Sequence, residues 1–193
     1  MTNFWNRIKE IFQPEQDSGE EGMELTFPKE MAPDEKFAKF FSEAGGHFFY
    51  CENEAEALGY IKKIIETEHI SRLICFDSNL QKMLKSVGAN FIDYPSATAD
   101  FNFLTCENLV AYNGSIVLSS DVMSGRKIAE LPDNYIIYAN YAQIVGNLSE
   151  AMQHLNRTKT HRLPTGITSI GGVDSNPMNE PTAAKNIYLL IVE

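Results

Sequence analysis

Apolar and polar positions along this chain switch between a helical and a strand period, and the switches mark its elements. From Asp34 to Ala44 the residues Phe37, Phe40 and Phe41 share one helix face, and Gly45-Gly46 stop the helix. HFFYC, His47 to Cys51, then reads as a short strand. Asn53 with Glu56 three residues on forms a capping box, opening a helix whose buried face is Leu58, Ile61, Ile64 and Ile65. Arg72 to Phe76 is a second strand. Ser78, with Gln81 at the reciprocal position, caps a helix that turns Leu80, Met83, Leu84 and Val87 inward and closes at Gly88. Asn90 to Ile92 is the third strand. This alternation predicts βαβ units and a mainly parallel sheet. Parallel sheets bind ligands beyond their strands' carboxyl ends, which here are Glu52-Asn53, Asp77-Ser78-Asn79 and Asp93-Tyr94. Capping accounts for Asn53 and Ser78, which leaves Asp77 least determined by local structure.

After Asp93 the rhythm changes, and residues 95 to 108 show no clear period. The stretch TCENLVAYNGSIVLS then places Asn113-Gly114 between two apolar runs, the signature of a hairpin closed by a type I′ turn. Polar groups gather around it: Glu107 and Asn108 on the way in, Ser119, Ser120 and Asp121 on the way out, then Ser124-Gly125-Arg126. Tyr135 to Tyr138 is another strand, and Asn147 opens a helix with Leu148, Ala151, Met152 and Leu155 on its apolar face. RTKTHR, residues 157 to 162, is a solvated basic connection. Ile167 to Ile170 reads as strand, and IYLLIV at Ile187 to Val192 as a strand buried on both faces. Between them, Gly171-Gly172 would let a ligand approach the backbone, with Asp174, Ser175 and Asn176 supplying polar contacts; an ordinary surface loop is the alternative.

The first 30 residues stand apart. Phe4, Trp5, Ile8, Ile11 and Phe12 make one stripe on a short helix, and an acidic, Gly-containing tether follows. Either the stripe docks on a partner or it packs on its own domain. Residues 31 to 193 then form a single α/β domain. Hydrophobic residues make up 44% of the chain and charged ones 22%, as in ordinary globular proteins. No apolar run reaches membrane-spanning length and no secretory signal opens the chain, so a cytoplasmic location is expected. The net charge of −10, half of it within residues 1 to 36, argues against binding of nucleic acid or an anionic membrane.

Cys51, Cys75 and Cys106 lie far apart in apolar runs and lack Cys-x-x-Cys spacing, which reads as buried free thiols. The four histidines share no metal-ligand spacing, so neither a metal nor a bound cofactor is expected. Fingerprints for dinucleotides, nucleoside triphosphates and serine hydrolases are also missing. One resemblance remains. VAYNGSIVLSS, then Ser124-Gly125-Arg126, the LPDNYIIY strand and the helix NLSEAMQHL together resemble the LUD domain of lactate utilization protein C, over about Asp93 to Leu155. That resemblance implies the fold shared by ribose-5-phosphate isomerase, glucosamine-6-phosphate deaminase and the coenzyme A transferases. The family carries Ala-Glu-Thr-Gly-Thr where this chain has Tyr112-Asn113 before Gly114, so a carboxylate at that position is missing. Gly114, Ser115 and Arg126 match the family pattern, with Gly171 and Asp174 in comparable places.

Three functions follow as expectations. By resemblance, the protein is an accessory factor of lactate utilization or related organic-acid oxidation, acting with an iron–sulfur partner protein. A second reading is an enzyme or binding protein for a small phosphorylated or coenzyme A-linked metabolite. Its ligand site would be Glu107, Asn113, Gly114, Ser115, Ser120, Arg126, Gly171 and Asp174, with Arg126 and glycine amides on the anion and Glu107 or Asp174 as general base. The third is a degenerate scaffold that binds only protein.

Overall fold

Two packed sheets, with one helix sharing the core between them and three on their outer faces, organise the computed structural model, which describes residues 31–159, 163–172 and 186–193. The larger sheet is parallel throughout. In chain order its region contains α1 (Pro33–Glu43), β1 (His47–Cys51), α2 (Glu54–Thr67), β2 (Leu73–Ile74), α3 (Ser78–Ser86), β3 (Phe91–Ile92) and β4 (Phe101–Thr105). The chain then makes β5 (Asn108–Val110), β6 (Ser115–Ser119), β7 (Asn134–Asn140), β8 (Ile144–Val145), α4 (Leu148–Thr158), β9 (Ile167–Ile170) and β10 (Asn186–Val192). Strand order is β1-β10-β7-β4-β2-β3 in the large sheet and β8-β5-β6-β9 in the small one. In the small sheet β6 runs antiparallel to both β5 and β9, whereas β5 and β8 are parallel.

The strand period of two decides which core each residue joins. Leu104, Ile137, Leu189 and Ile191 face the small sheet and α1, where they meet Phe37, Phe41, Leu109, Ile116 and Leu118. Their neighbours Phe103, Ile136, Leu190 and Val192 face the other way, against Ala57, Ile61 and Ile64 of α2 and Leu80 and Leu84 of α3. A third, smaller core seats Ala151 and Leu155 of α4 on Val110 and Val117, the outer face of the small sheet. Each fully buried Leu, Ile or Phe here contributes about 1.5–3 kcal/mol of transfer free energy. The last strand joins all of this: β10 lies between β1 and β7 and is buried on both faces from Leu189 to Val192.

Several local expectations change. The region 95 to 108 holds β4, a strand paired on both sides, whose short run FNFLT buries polar Asn102, its side-chain amide held by the carbonyls of Pro132 at 2.7 Å and Asn134 at 3.1 Å, so that no clean period shows. Asp77 is not free: it is the N-cap of α3, its Oδ1 accepting the amides of Asn79 at 2.7 Å and Leu80 at 3.0 Å, and Ser78 is the first helical residue. Asp is as good a cap as Ser, and here it comes one residue earlier. Gln81 reaches back to the Cys75 carbonyl at 2.9 Å. The β5–β6 hairpin closes not by a two-residue type I′ turn but by four residues, with Val110 paired to Ser115 and the Gly114 amide donating to the Val110 carbonyl at 2.9 Å. Only Gly114 is left-handed there, with φ of 71°. The stripe at Phe4 to Phe12 and its acidic tether lie outside the described residues.

Candidate functional site

Of the eight ligand-site residues named from the sequence, six separate into two groups at opposite ends of β6. Asn113, Gly114 and Ser115 sit at its start, and Gly171, which follows the Ile170 partner of Ile116, lies beside them. Ser120 and Arg126 follow its far end, about 13 Å away at the rise of an extended strand. Asp174 lies outside the described residues.

The first group is turned toward protein. A Cβ built on Gly114 meets the Phe41 amide nitrogen, the Phe40 carbonyl carbon at 2.6 Å and Phe41 Cα at 2.8 Å, so the hairpin tip presses on the backbone of α1. Gly171 faces Ile187 and the Phe41 ring, and Gly172 faces Asn113 and Ser115. The Asn113 side chain is engaged locally, accepting the Ser115 hydroxyl at 2.8 Å and its amide at 3.3 Å. These glycines admit close approach, as expected, but what approaches is the rest of the fold.

The far end is different. Beyond Ser119 the chain turns through Ser124 and Gly125, both left-handed at φ of 52° and 77°. The Gly125 amide returns to the Ser120 carbonyl at 2.7 Å, and Met123, 4% exposed, anchors the turn in the core. Arg126 and Lys127 leave this turn into solvent at the rim of a cleft of about 320 Å³. Its other walls are Ser120, Thr165, Gly166 and the start of β9. The Ser120 hydroxyl is 3.1 Å from the Thr165 amide and 3.2 Å from its hydroxyl, while the Ser120 amide donates to Gly166 at 2.8 Å. Among the described residues neither cation makes an ion pair. The cleft is therefore a cationic spot on a chain of net charge −10.

Beside it lies a charged cluster that sequence reasoning found only in part. Glu107 Oε1 accepts the Ser119 hydroxyl at 2.5 Å and the Lys159 ammonium at 3.1 Å; Lys159 also reaches Asp121 at 3.3 Å. Burial pulls the Lys159 pKa down, but the hydrogen bond and charge of Glu107, and then those of Asp121, outweigh it and raise the value above 10.5. Glu107 is consequently occupied, and a base role would require breaking this pair. Lys159, within the basic stretch, had no sequence signal tying it to Glu107 across 52 residues. Next to the cluster, buried Asn108 contacts His154 Nδ1 at 3.0 Å, and Gln143 holds the carbonyls of Cys106 and Glu107.

Among the described residues no group of His, Cys, Asp and Glu gathers to hold a metal ion, and no helix is long and apolar enough to cross a membrane. The three thiols are buried, and burial pushes Cys51 and Cys75 up to about 12 and Cys106 in the same direction.

A family model for the LUD domain matches residues 90–192, more than half of the chain. The chain belongs to the LUD domain family. That family is associated with lactate utilization, and the match covers β3 to β10, including both ends of β6. Among solved structures, this LUD domain is similar to a DUF162 family protein from Deinococcus radiodurans, with 19% identity and a TM-score of 0.64. The alignment covers 83% of this chain and 96% of that one, so the two share a fold. No curated protein matches the chain.

Proposed function

We propose that this LUD domain is an accessory protein of lactate utilization or a related organic-acid oxidation, binding a small organic anion at Ser120 and Arg126 and acting with an iron–sulfur partner protein. The observation that carries the binding half is the Arg126–Lys127 pair. Two cations with no carboxylate partner among the described residues, beside hydroxyls in a concave site, suit a carboxylate or phosphate better than any neutral ligand. The partner half rests on family membership: oxidising a 2-hydroxy acid releases electrons, and an iron–sulfur protein is the acceptor this pathway association suggests. The −10 net charge would steer the domain toward a basic docking surface.

Two measurements test the two halves. Calorimetric titration with L-lactate, pyruvate, inorganic phosphate and acetyl-coenzyme A should give saturable binding by at least one anion. Arg126→Gln should weaken it about tenfold or more, the worth of a charge-assisted hydrogen bond. Absence of binding by all four at millimolar concentration would remove the anion site. Affinity purification from the native host, with iron and acid-labile sulfide assayed in the eluate, tests the partner; recovery of the domain without iron would remove that role.

A further inference from the structure

A second concavity lies on the other side of the large sheet, and its chemistry differs from that of the Arg126 cleft. After β2 the chain leaves to α3 on one face; after the adjacent β4 it leaves to β5 and the small sheet on the other. Divergence of this kind opens a crevice at the carboxyl ends of the two strands, where open α/β sheets bind ligands. Here the crevice holds about 610 Å³. Thr105, the last residue of β4, and Tyr138, its register partner on β7, lie on its sheet side. Both share the sheet face of Phe103 and Ile136, toward α2 and α3. Burial, with Glu54 and Cys51, raises the Tyr138 pKa, so its hydroxyl stays protonated and can donate.

The helix side of the crevice excludes anions. The start of α3 is a natural anion seat, but the Asp77 carboxylate already fills it by accepting the amides of Asn79 and Leu80. Glu54 adds a second carboxylate, and the one cation, Lys82, bonds to Asn79 at 3.2 Å. What remains are hydroxyls at Thr105 and Tyr138, the carboxylate of Glu54 and the second oxygen of Asp77, and an apolar wall led by half-buried Leu58; Leu80 and Met83 behind it are only 2% and 7% exposed, and the Ser86 hydroxyl is spent on the Met83 carbonyl at 2.7 Å. Carboxylates suit the paired hydroxyls of a vicinal diol, and the wall suits a flat ring.

We propose that this crevice binds a neutral nucleoside-type ligand, its diol toward Glu54 and the second oxygen of Asp77 and its ring against Leu58, with Thr105 and Tyr138 hydrogen-bonding to it. The site is independent of the anion reading for the Arg126 cleft.

Adenosine, adenosine 5′-monophosphate and inorganic phosphate are the probes, titrated into the full chain with amide resonances followed by NMR. Adenosine should bind saturably, with shifts concentrated at Thr105, Tyr138 and the first turn of α3. Adenosine 5′-monophosphate should bind at least about fivefold more weakly, since its phosphate meets two carboxylates. Thr105→Val and Tyr138→Phe, which keep shape, should each lower adenosine affinity about fivefold to tenfold, the worth of one hydrogen bond. Arg126→Gln should leave it unchanged, which separates this result from failure of the anion cleft. Failure of adenosine to saturate, shifts confined to the Arg126 turn, or tighter binding of adenosine 5′-monophosphate than of adenosine as read at Thr105, Tyr138 and the first turn of α3 would each overturn the assignment.

Discussion

Replacing Gly114 with alanine tests whether the hairpin tip is a packing contact. The added methyl would sit against the Phe41 amide and within 2.6–2.8 Å of the Phe40 carbonyl carbon and Phe41 Cα. All of these are backbone atoms near the end of α1, so no flexible side-chain end can yield. A left-handed non-glycine residue costs roughly 1–2 kcal/mol, and overpacking of a rigid contact a further 1–3, for a total of about 2–5 kcal/mol. In a chain of this length that lowers the melting temperature by roughly 5–15 °C. Gly59→Ala supplies the matched control: Gly59 lies inside α2 with nothing within 4 Å of the added Cβ. It should stabilise the protein by about 0.5–1 kcal/mol, because alanine restricts the unfolded chain and prefers helix. Urea unfolding of both variants, with slopes compared to confirm a common unfolded state, gives the two free energies. The packing argument fails if Gly114→Ala comes within about 0.5 kcal/mol of the parent, the range of an ordinary surface substitution.

The Lys159 pair gives a pH signature. Its raised folded pKa means that its stabilisation is fully present below 10.5 and is lost as pH climbs through the higher folded value; Lys159→Met should abolish that alkaline step and cost about 1 kcal/mol at neutral pH, read from denaturation midpoints across the pH range. Asp77→Ala should destabilise by about 1–2 kcal/mol through loss of two amide contacts, whereas Asp77→Asn should cost less than about half of that because asparagine also caps; equal losses would show that charge, not capping, matters. Native protein treated with iodoacetamide at neutral pH should remain unmodified by mass spectrometry at Cys51, Cys75 and Cys106, since all three thiols are buried and held protonated, and should take three adducts once unfolded.

The parts of the fold carried by periodic patterns and caps were legible in the sequence. α1, α2 and α4 begin within a residue of their expected starts; Asn53 caps as its spacing to Glu56 suggests, and Asn147 caps the helix it was expected to open. β4 escaped because its run is short, with buried Asn102 interrupting the apolar positions, and because it follows a stretch of turn formers that masks its start. Asp77 was misjudged because Ser78 is an equally good cap on propensity alone; only backbone geometry decides between neighbours. The candidate site was legible as residue types and illegible as an arrangement. A turn glycine that meets a ligand and one that meets a helix look the same in sequence, and Gly114 and Gly171 are of the second kind. Ser120 and Arg126 were brought together by a left-handed pair at Ser124-Gly125, for which only the glycine gives a sequence signal.

A division of charge underlies both concavities. In a parallel α/β sheet the helix starts at the strands' carboxyl ends carry partial positive charge and commonly draw anions there. This chain fills those seats with its own side chains, Asn53 on α2 and Asp77 on α3, and adds Glu54 nearby. An anion is thereby turned away from the crevice where the fold would ordinarily hold it. The cations stand instead on the opposite side of the large sheet, at Arg126 and Lys127 beyond the end of β6. One short segment touches both regions: Thr105 lines the crevice, and Glu107, two residues on, receives the hydroxyl of Ser119 next to Ser120. That segment is fixed by ladder pairing of Thr105 to Tyr138 and by the Glu107 amide on the Val117 carbonyl at 2.9 Å, with Gln143 holding the carbonyls between. The two concavities therefore differ in chemistry, although a single turn of chain, held from both sides, divides them.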